Sequence, residues 1–326
     1  MGLVKRYLGC LATSIFSHLV YKIYLQVGTR GGYDGGESLK LFTATFSGRE
    51  SLVSILAVGY LLTYVTSTHT KDGELDENFR QHPYWKNIMD DLLDEYSVDA
   101  EEALDEKKQY IIGCFPHGAN SVQHLLTMTD CCGALSKVHK GPRRDLAASI
   151  LFYIPVIREL SLLLGNVDAS GATAQYNLKK QRSLLIFVGG EKEQLMTTEG
   201  EQRVYLKSRK GFVKLALQYG CDLVPSYAFG ENELYHISNF ALDFRQWLQR
   251  CFSVGLCVAT GKPRWWNWFA PLKRPLHVKF GKPIKVEKKD KSDITQDDIE
   301  KLHAEFVSAL EGLFSKHSKG KTLEVL

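Results

Sequence analysis

Two hydrophobic patterns divide the chain near residue 70. Before it, the apolar runs are long. Residues 8–27 are mostly apolar, and Ser14, His18, Lys22 and Gln26 step by four along one helix face. That stripe fits an interfacial helix, or one packed on a partner, better than a lone spanning helix. Residues 51–68 form an 18-residue stretch without charge, just long enough to cross the hydrocarbon core; the alternative is a buried helix of a soluble fold. The glycine-rich segment 29–37 between them reads as a turn. Together they predict an N-terminal membrane-embedded helical hairpin over residues 1–70. Lys and Arg flank both segments in similar numbers, so orientation is not decided.

After residue 70 the runs become short. An acidic, solvated stretch with one helix over 84–96 leads to Tyr110-Ile111-Ile112-Gly113-Cys114-Phe115, a short buried strand stopped by Pro116. Residues 183–188 (SLLIFV) are continuously apolar, as a strand buried on both faces should be. Asp222–Phe229 and Leu276–Phe280 read as further strands. Gly211–Tyr219 has helical spacing at Phe212, Leu215, Ala216 and Tyr219 and stops at Gly220. Thr295 and Asp298 have capping-box spacing ahead of a helical face running from Ile299 to Phe314. Strands alternating with helices predict an α/β fold over residues 71–326. Its sheet would be mixed or mostly parallel, flanked by helices, with function at the strand ends.

Composition narrows the chemistry. Hydrophobic content of 44% in 326 residues supports a packed core, and a net charge of +4 lacks the concentrated basic stripe of a nucleic-acid binder. It fits a surface that meets anionic lipid. Seven irregularly spaced cysteines argue against a secreted disulfide framework. Cys114, His117, His124, Cys131, Cys132 and His139 fall within 26 residues but match no zinc spacing, so no metal site is expected. Residues 247–268 hold four of the five tryptophans, and Pro263-Arg264-Trp265-Trp266 suits a membrane headgroup zone or aromatic core packing equally. The chain has no G-x-S-x-G elbow, no G-x-G-x-x-G turn and no phosphate loop.

Direct acyl transfer remains, and it needs little: a histidine that takes the proton from an attacking hydroxyl. His117 follows the strand between Pro116 and Gly118. Taken alone, such a histidine is more commonly a hydrogen-bonded turn residue.

Four blocks in order change that balance. They are Phe115-Pro116-His117-Gly118; Tyr153-Ile154-Pro155-Val156-Ile157-Arg158-Glu159; Val188-Gly189-Gly190-x-x-Glu193; and Leu206-Lys207-x-Arg209-Lys210-Gly211-Phe212-Val213, continuing into Gly220-x-x-Leu223-Val224-Pro225-x-Tyr227-x-Phe229-Gly230-Glu231-Asn232-Glu233. Over residues 75–317 the chain resembles the type 2 diacylglycerol acyltransferase family. The resemblance implies an endoplasmic reticulum membrane enzyme, its site on the cytosolic side, that transfers a fatty acyl group from acyl-CoA to diacylglycerol and feeds lipid droplets. Acyl-CoA is then a co-substrate, and no cofactor is implied. Monoacylglycerol or a long-chain alcohol would serve the same motifs as acceptor. A lipid-binding protein that kept the fold without catalysis is the rival of another class. Oligomeric state is not readable.

The family's usual His-Pro-His-Gly places its second histidine on His117, the implied general base, and its first on Phe115, which cannot exchange a proton and is left to shape the pocket. Glu193 is implied to orient or charge-balance His117. Pro116, Gly118, Gly189 and Gly190 belong to the expected substrate-binding set. Arg158 would hold a CoA phosphate or pair with Glu231. Arg209 and Lys210 precede a helix N-terminus suited to CoA phosphates or the oxyanion, and Gly211 would let substrate approach the backbone.

Overall fold

The computed structural model describes Tyr60, Thr63, Tyr64 and residues 69–252, 257–262, 270–318 and 320–326. The expected membrane hairpin therefore lies almost wholly outside the described residues, as does the segment 263–269 with three of the tryptophans. Among the described residues no helix is long and apolar enough to cross a membrane.

The unit His69–Leu326 is built on a seven-stranded sheet. Its strands are β1 (Tyr96–Ala100), β2 (Tyr110–Phe115), β3 (Arg143–Ala147), β4 (Asn166–Asp168), β5 (Ser183–Phe187), β7 (Asp222–Phe229) and β10 (Leu276–Phe280), in the order β1-β10-β7-β2-β5-β3-β4. Two-residue strands β6 (Arg203–Val204) and β11 (Glu324–Val325) pair separately, as do β8 (His236–Ser238) and β9 (Val258–Thr260). Every neighbour in the large sheet is parallel except β10 on β7. Strands β2, β5 and β7 therefore end on one rim, and β10 and β1 begin there.

Helices cover both faces: α1 (Tyr84–Leu92), α2 (Val122–Met128), α3 (Ile157–Leu163), α4 (Gly171–Lys179), α5 (Gly190–Met196), α6 (Gly211–Tyr219), α7 (Leu242–Phe252) and α8 (Gln296–His317). Central β2 is buried at all six positions. Its alternation sends Tyr110, Ile112 and Cys114 into a layer with Met89, Leu92, Val122 and Leu126 of α1 and α2. It sends Ile111 and Phe115 into the opposite layer with Leu178, Phe212 and Phe306 of α4, α6 and α8. Two covered faces explain the unbroken apolar run. Deleting a ring such as Phe306, fully buried beside Phe115 at 6.3 Å between centroids, would cost about 3–5 kcal/mol.

The long helix α8 starts as its spacing predicts. The Thr295 hydroxyl accepts from Asp298 N at 3.1 Å, and the Asp298 carboxylate accepts from Thr295 N at 3.0 Å. Two expectations change. The helix predicted over 84–96 stops at Leu92, because Leu93 is extended and Tyr96 already pairs with Leu276 in β1. Strand β3 was hidden by its charges. Arg143 and Asp145 are buried and paired with each other at 3.5 Å, so a strand of the sheet interior reads as a polar segment.

Candidate active site

His117 leaves the end of β2 half-buried, on the rim where β5 and β7 also end. Two carboxylates hold the turn. Glu193, in the first turn of α5, accepts from the His117 backbone N–H on one oxygen and from Tyr205 N, at 2.7 Å, on the other. Glu231, in the turn after β7, accepts from Val122 N and Gln123 N, both at 2.8 Å, and so caps α2. Gln123 in turn donates its side-chain amide to Pro116 O. Burial pushes both carboxyls up to about 7, against the lowering effect of the N–H groups they accept from.

The glycines of both motifs are explained by these carboxylates. A Cβ on Gly118, whose φ is +66°, would stand 2.6 Å from the Glu231 side chain. A Cβ on Gly189 would stand 2.2 Å from Glu193 Oε2. Any larger residue would expel the carboxylate that shapes the turn.

Ser121 would ordinarily cap α2 with its hydroxyl. It makes no such bond, and Glu231 does that work. Instead Ser121 adopts the left-handed conformation, φ 48° and ψ 54°, at a cost of about 1–3 kcal/mol. This turns its hydroxyl back onto His117, donating to the carbonyl at 2.9 Å and lying 3.0 Å from Nδ1. The same Nδ1 is 3.1 Å from Gly118 O. A carbonyl only accepts, and the hydroxyl hydrogen is already committed, so the proton belongs on Nδ1 and the lone pair on Nε2. Burial, reinforced by nearby His124 and opposed by the Gly118 bond, pulls the imidazole down to about 4. The ring is thus neutral near pH 7, with a defined basic nitrogen.

Around it lie Phe187, 5.4 Å from the His117 ring and 5.1 Å from the His124 ring. His124 Nε2 is 3.5 Å from the buried carboxylate of Asp145, which Arg143 also approaches. Among the described residues no group of three or more His, Cys, Asp or Glu is arranged to hold a metal ion. Cys114 packs inward instead, 3.3 Å from Ser226 Oγ.

The sequence-predicted residues separate into those gathered at this turn and those left elsewhere. Arg209 joins the set: Nη2 donates to Gly189 O at 2.9 Å, and the guanidinium lies over the Tyr205 ring at 5.2 Å. Glu193 joins it through the main chain: its carboxylate accepts from the His117 backbone N–H and not from the ring. Phe115 is fully buried in the α8 layer and does not reach the rim surface. Arg158 sits on α3, which packs against β4 at the sheet edge, and pairs with Glu159 at 3.6 Å. It does not pair with Glu231, whose oxygens are taken by α2. Lys210 is drawn to Glu300 of α8. Gly211 opens α6, and a Cβ built on it would meet no protein atom within 4 Å. A cleft of about 540 Å³ opens on the same rim, between Phe229, His277, Lys279, Phe314 and His317, and none of the sequence-predicted residues lines it. The sequence offers Glu231 only as a possible partner for Arg158, and it assigns nothing to Ser121. Its only signal was a hydroxyl four residues after a histidine turn.

A family model described as diacylglycerol acyltransferase matches residues 44–324. The chain is 33% identical to human diacylglycerol O-acyltransferase 2 over 278 residues, covering 81% of this chain and 70% of that one. It is 30% identical to human 2-acylglycerol O-acyltransferase 3 over 264 residues, 77% of this chain and 76% of that one. Human diacylglycerol O-acyltransferase 2-like protein 6 is 28% identical over 280 residues, 81% of this chain and 82% of that one.

Proposed function

The chain belongs to the diacylglycerol acyltransferase family and is an acyltransferase, and on that premise we propose that it moves a fatty acyl group from acyl-CoA to the free hydroxyl of diacylglycerol, with His117 as general base. One observation carries the assignment of the base: a neutral imidazole at the rim whose Nδ1 is occupied by Gly118 O and Ser121 Oγ, leaving Nε2 to accept a proton.

The step is simple to balance. The acceptor hydroxyl gives its proton to His117 Nε2 as its oxygen bonds to the thioester carbonyl carbon. The tetrahedral intermediate collapses, the C–S bond breaks, and the CoA thiolate takes the proton back from the imidazolium. A base of this kind supplies about 10²- to 10⁴-fold. Glu193 acts as a positioning residue, because it holds the His117 backbone and leaves the ring free. Arg209, anchored on the Gly189 carbonyl beside Glu193, is the cation best placed to meet an anionic part of the donor. With Phe115 where the family usually carries a histidine, proton transfer rests on His117 alone. The long apolar stretches before residue 70 support an enzyme held at the endoplasmic reticulum membrane, where its acceptor is dissolved.

The likeness to a 2-acylglycerol O-acyltransferase keeps monoacylglycerol as a second acceptor. The test is His117→Ala in membranes given labelled acyl-CoA with diacylglycerol, monoacylglycerol or a long-chain alcohol in turn. Wild type should make triacylglycerol as its main product, and the variant should lose about 10²-fold or more. Unchanged transfer by the variant would sink the base assignment, and a preference for another acceptor would correct the substrate.

A further inference from the structure

Helix α7 presents its faces the wrong way round for a helix covered by water. Phe240, in the turn leading into it, and Phe244 and Trp247 stand at positions i, i+4 and i+7 of one face, exposed by 76%, 58% and 50%. The Phe244 and Trp247 rings stack at 5.7 Å with 20° between their planes. The inward face carries the charge. Arg245 is 4% exposed, and its guanidinium donates to Phe240 O at 3.0 Å and to Ser238 O at 2.8 Å. Turning the aromatics inward would pull this buried cation off both carbonyls, so Arg245 fixes the rotation of the helix. The outward aromatic face is a built feature of the fold.

Its location says what it serves. Helix α7 packs on α5, where the Gln249 side chain lies close enough to the Glu191 carboxyl to favour its ionised form. Two residues further along α5, Glu193 holds the backbone of His117. The aromatic face thus adjoins the rim from which the acceptor must be approached.

We propose that the outward face of α7 docks on a phospholipid bilayer and sets the His117 rim against it. The proposal rests on the acyltransferase reading of that rim, whose acceptor is insoluble in water. Three features select a bilayer over a second protein copy. The rings expose about 400 Å² together, half of the about 800 Å² per partner that a stable protein interface needs. They form a single convex row on one helix. They are also the residue types that settle at the headgroup level, with Arg250 in the last turn to meet phosphate.

The full chain, reconstituted in phosphatidylcholine–phosphatidylserine vesicles, tests this with a photoreactive benzoylphenylalanine in place of Phe244 or, as control, of exposed Lys301 on α8. Position 244 should yield phospholipid adducts about tenfold above position 301. Adducts to a second copy of the chain, or equal yields at the two positions, would overturn the proposal. The double variant F244S/W247S should raise the apparent KM for long-chain diacylglycerol in vesicles about tenfold. Its rate on water-soluble dihexanoylglycerol should be that of wild type, and a matching loss on both acceptors would mean damage to the fold instead. Crosslinking needs no turnover, so a wild-type chain that failed to transfer acyl groups would defeat the catalytic reading and still report on docking.

Discussion

Strand β2 has an imidazole at each end, and the pair differs mainly in its partners. At the start, His139 is 4% exposed and packs edge-on against Tyr110 at 5.5 Å. At the end stands His117. Burial holds both at about 4, with Arg143 adding to the effect on His139. Yet neither nitrogen of His139 has a hydrogen-bond partner among the described residues, whereas Nδ1 of His117 has two. Burial makes an imidazole neutral, and only partners decide which nitrogen keeps the proton. A base needs both properties, along with access from the rim, and His139 has the first alone.

The sharpest way to break this comparison is to remove each ring in turn. His117→Ala should lose about 10²- to 10⁴-fold in kcat, while a change at His139 should leave the transfer rate intact. If His117 is the base, the acid limb of kcat/KM should lie below about pH 5, because its imidazole protonates near 4 and not at the usual value near 6.5. An acid limb centred near 6.5 would show that the turn does not hold His117 as described.

Next in size is the clamp. Glu231→Gln keeps the volume but turns an amide N–H₂ toward one of the two backbone donors of α2. One buried N–H loses its acceptor, which costs about 1–3 kcal/mol of stability and loosens the turn beside Gly118. Thermal melting should fall and kcat should fall with it. An unchanged melting temperature would mean that α2 does not need this cap. Smaller again is Ser121→Ala, which removes one of two partners of Nδ1. The loss is worth about 0.5–1.5 kcal/mol, or about 2- to 10-fold in kcat with KM nearly unchanged. A rise in KM without a fall in kcat would assign Ser121 to substrate binding.

How far these features could be read from the sequence follows from the range of the interactions behind them. Strands β7 and β10 and helix α6 were legible to the residue, because each is an apolar pattern of its own period bounded by its own breaker. Strand β3 was not, since Arg143 and Asp145 neutralise each other only once they lie side by side. The Gly189-Gly190-x-x-Glu193 block marked the right neighbourhood of His117. That Glu193 binds the backbone, and that Glu231 displaces Ser121 from its capping role, depends on segments more than 70 residues apart meeting at one turn. Arg158 approaches its own neighbour Glu159, whereas Lys210 meets Glu300 of α8 across 90 residues, a partner that a lone cation in a sequence does not reveal.

The last test leaves the rate alone and isolates what burial does by itself. His139 titrates near 4 in the fold and near 6.5 in the unfolded chain, so between these values the unfolded chain binds the proton that the fold refuses. Its contribution to stability is fully present above about pH 6.5 and is lost as the pH falls toward 4. His139→Leu fills much of the same space beside Tyr110 and removes the titration. At pH 7.5 the variant should match wild type to within about 1 kcal/mol. At pH 5 it should gain about 1–2 kcal/mol relative to wild type in denaturant unfolding, with acyl transfer unchanged throughout. If the acid slope of the variant were that of wild type, the lost stability would belong to another group, and the likeness between the two ends of β2 would fail at the one property they are held to share.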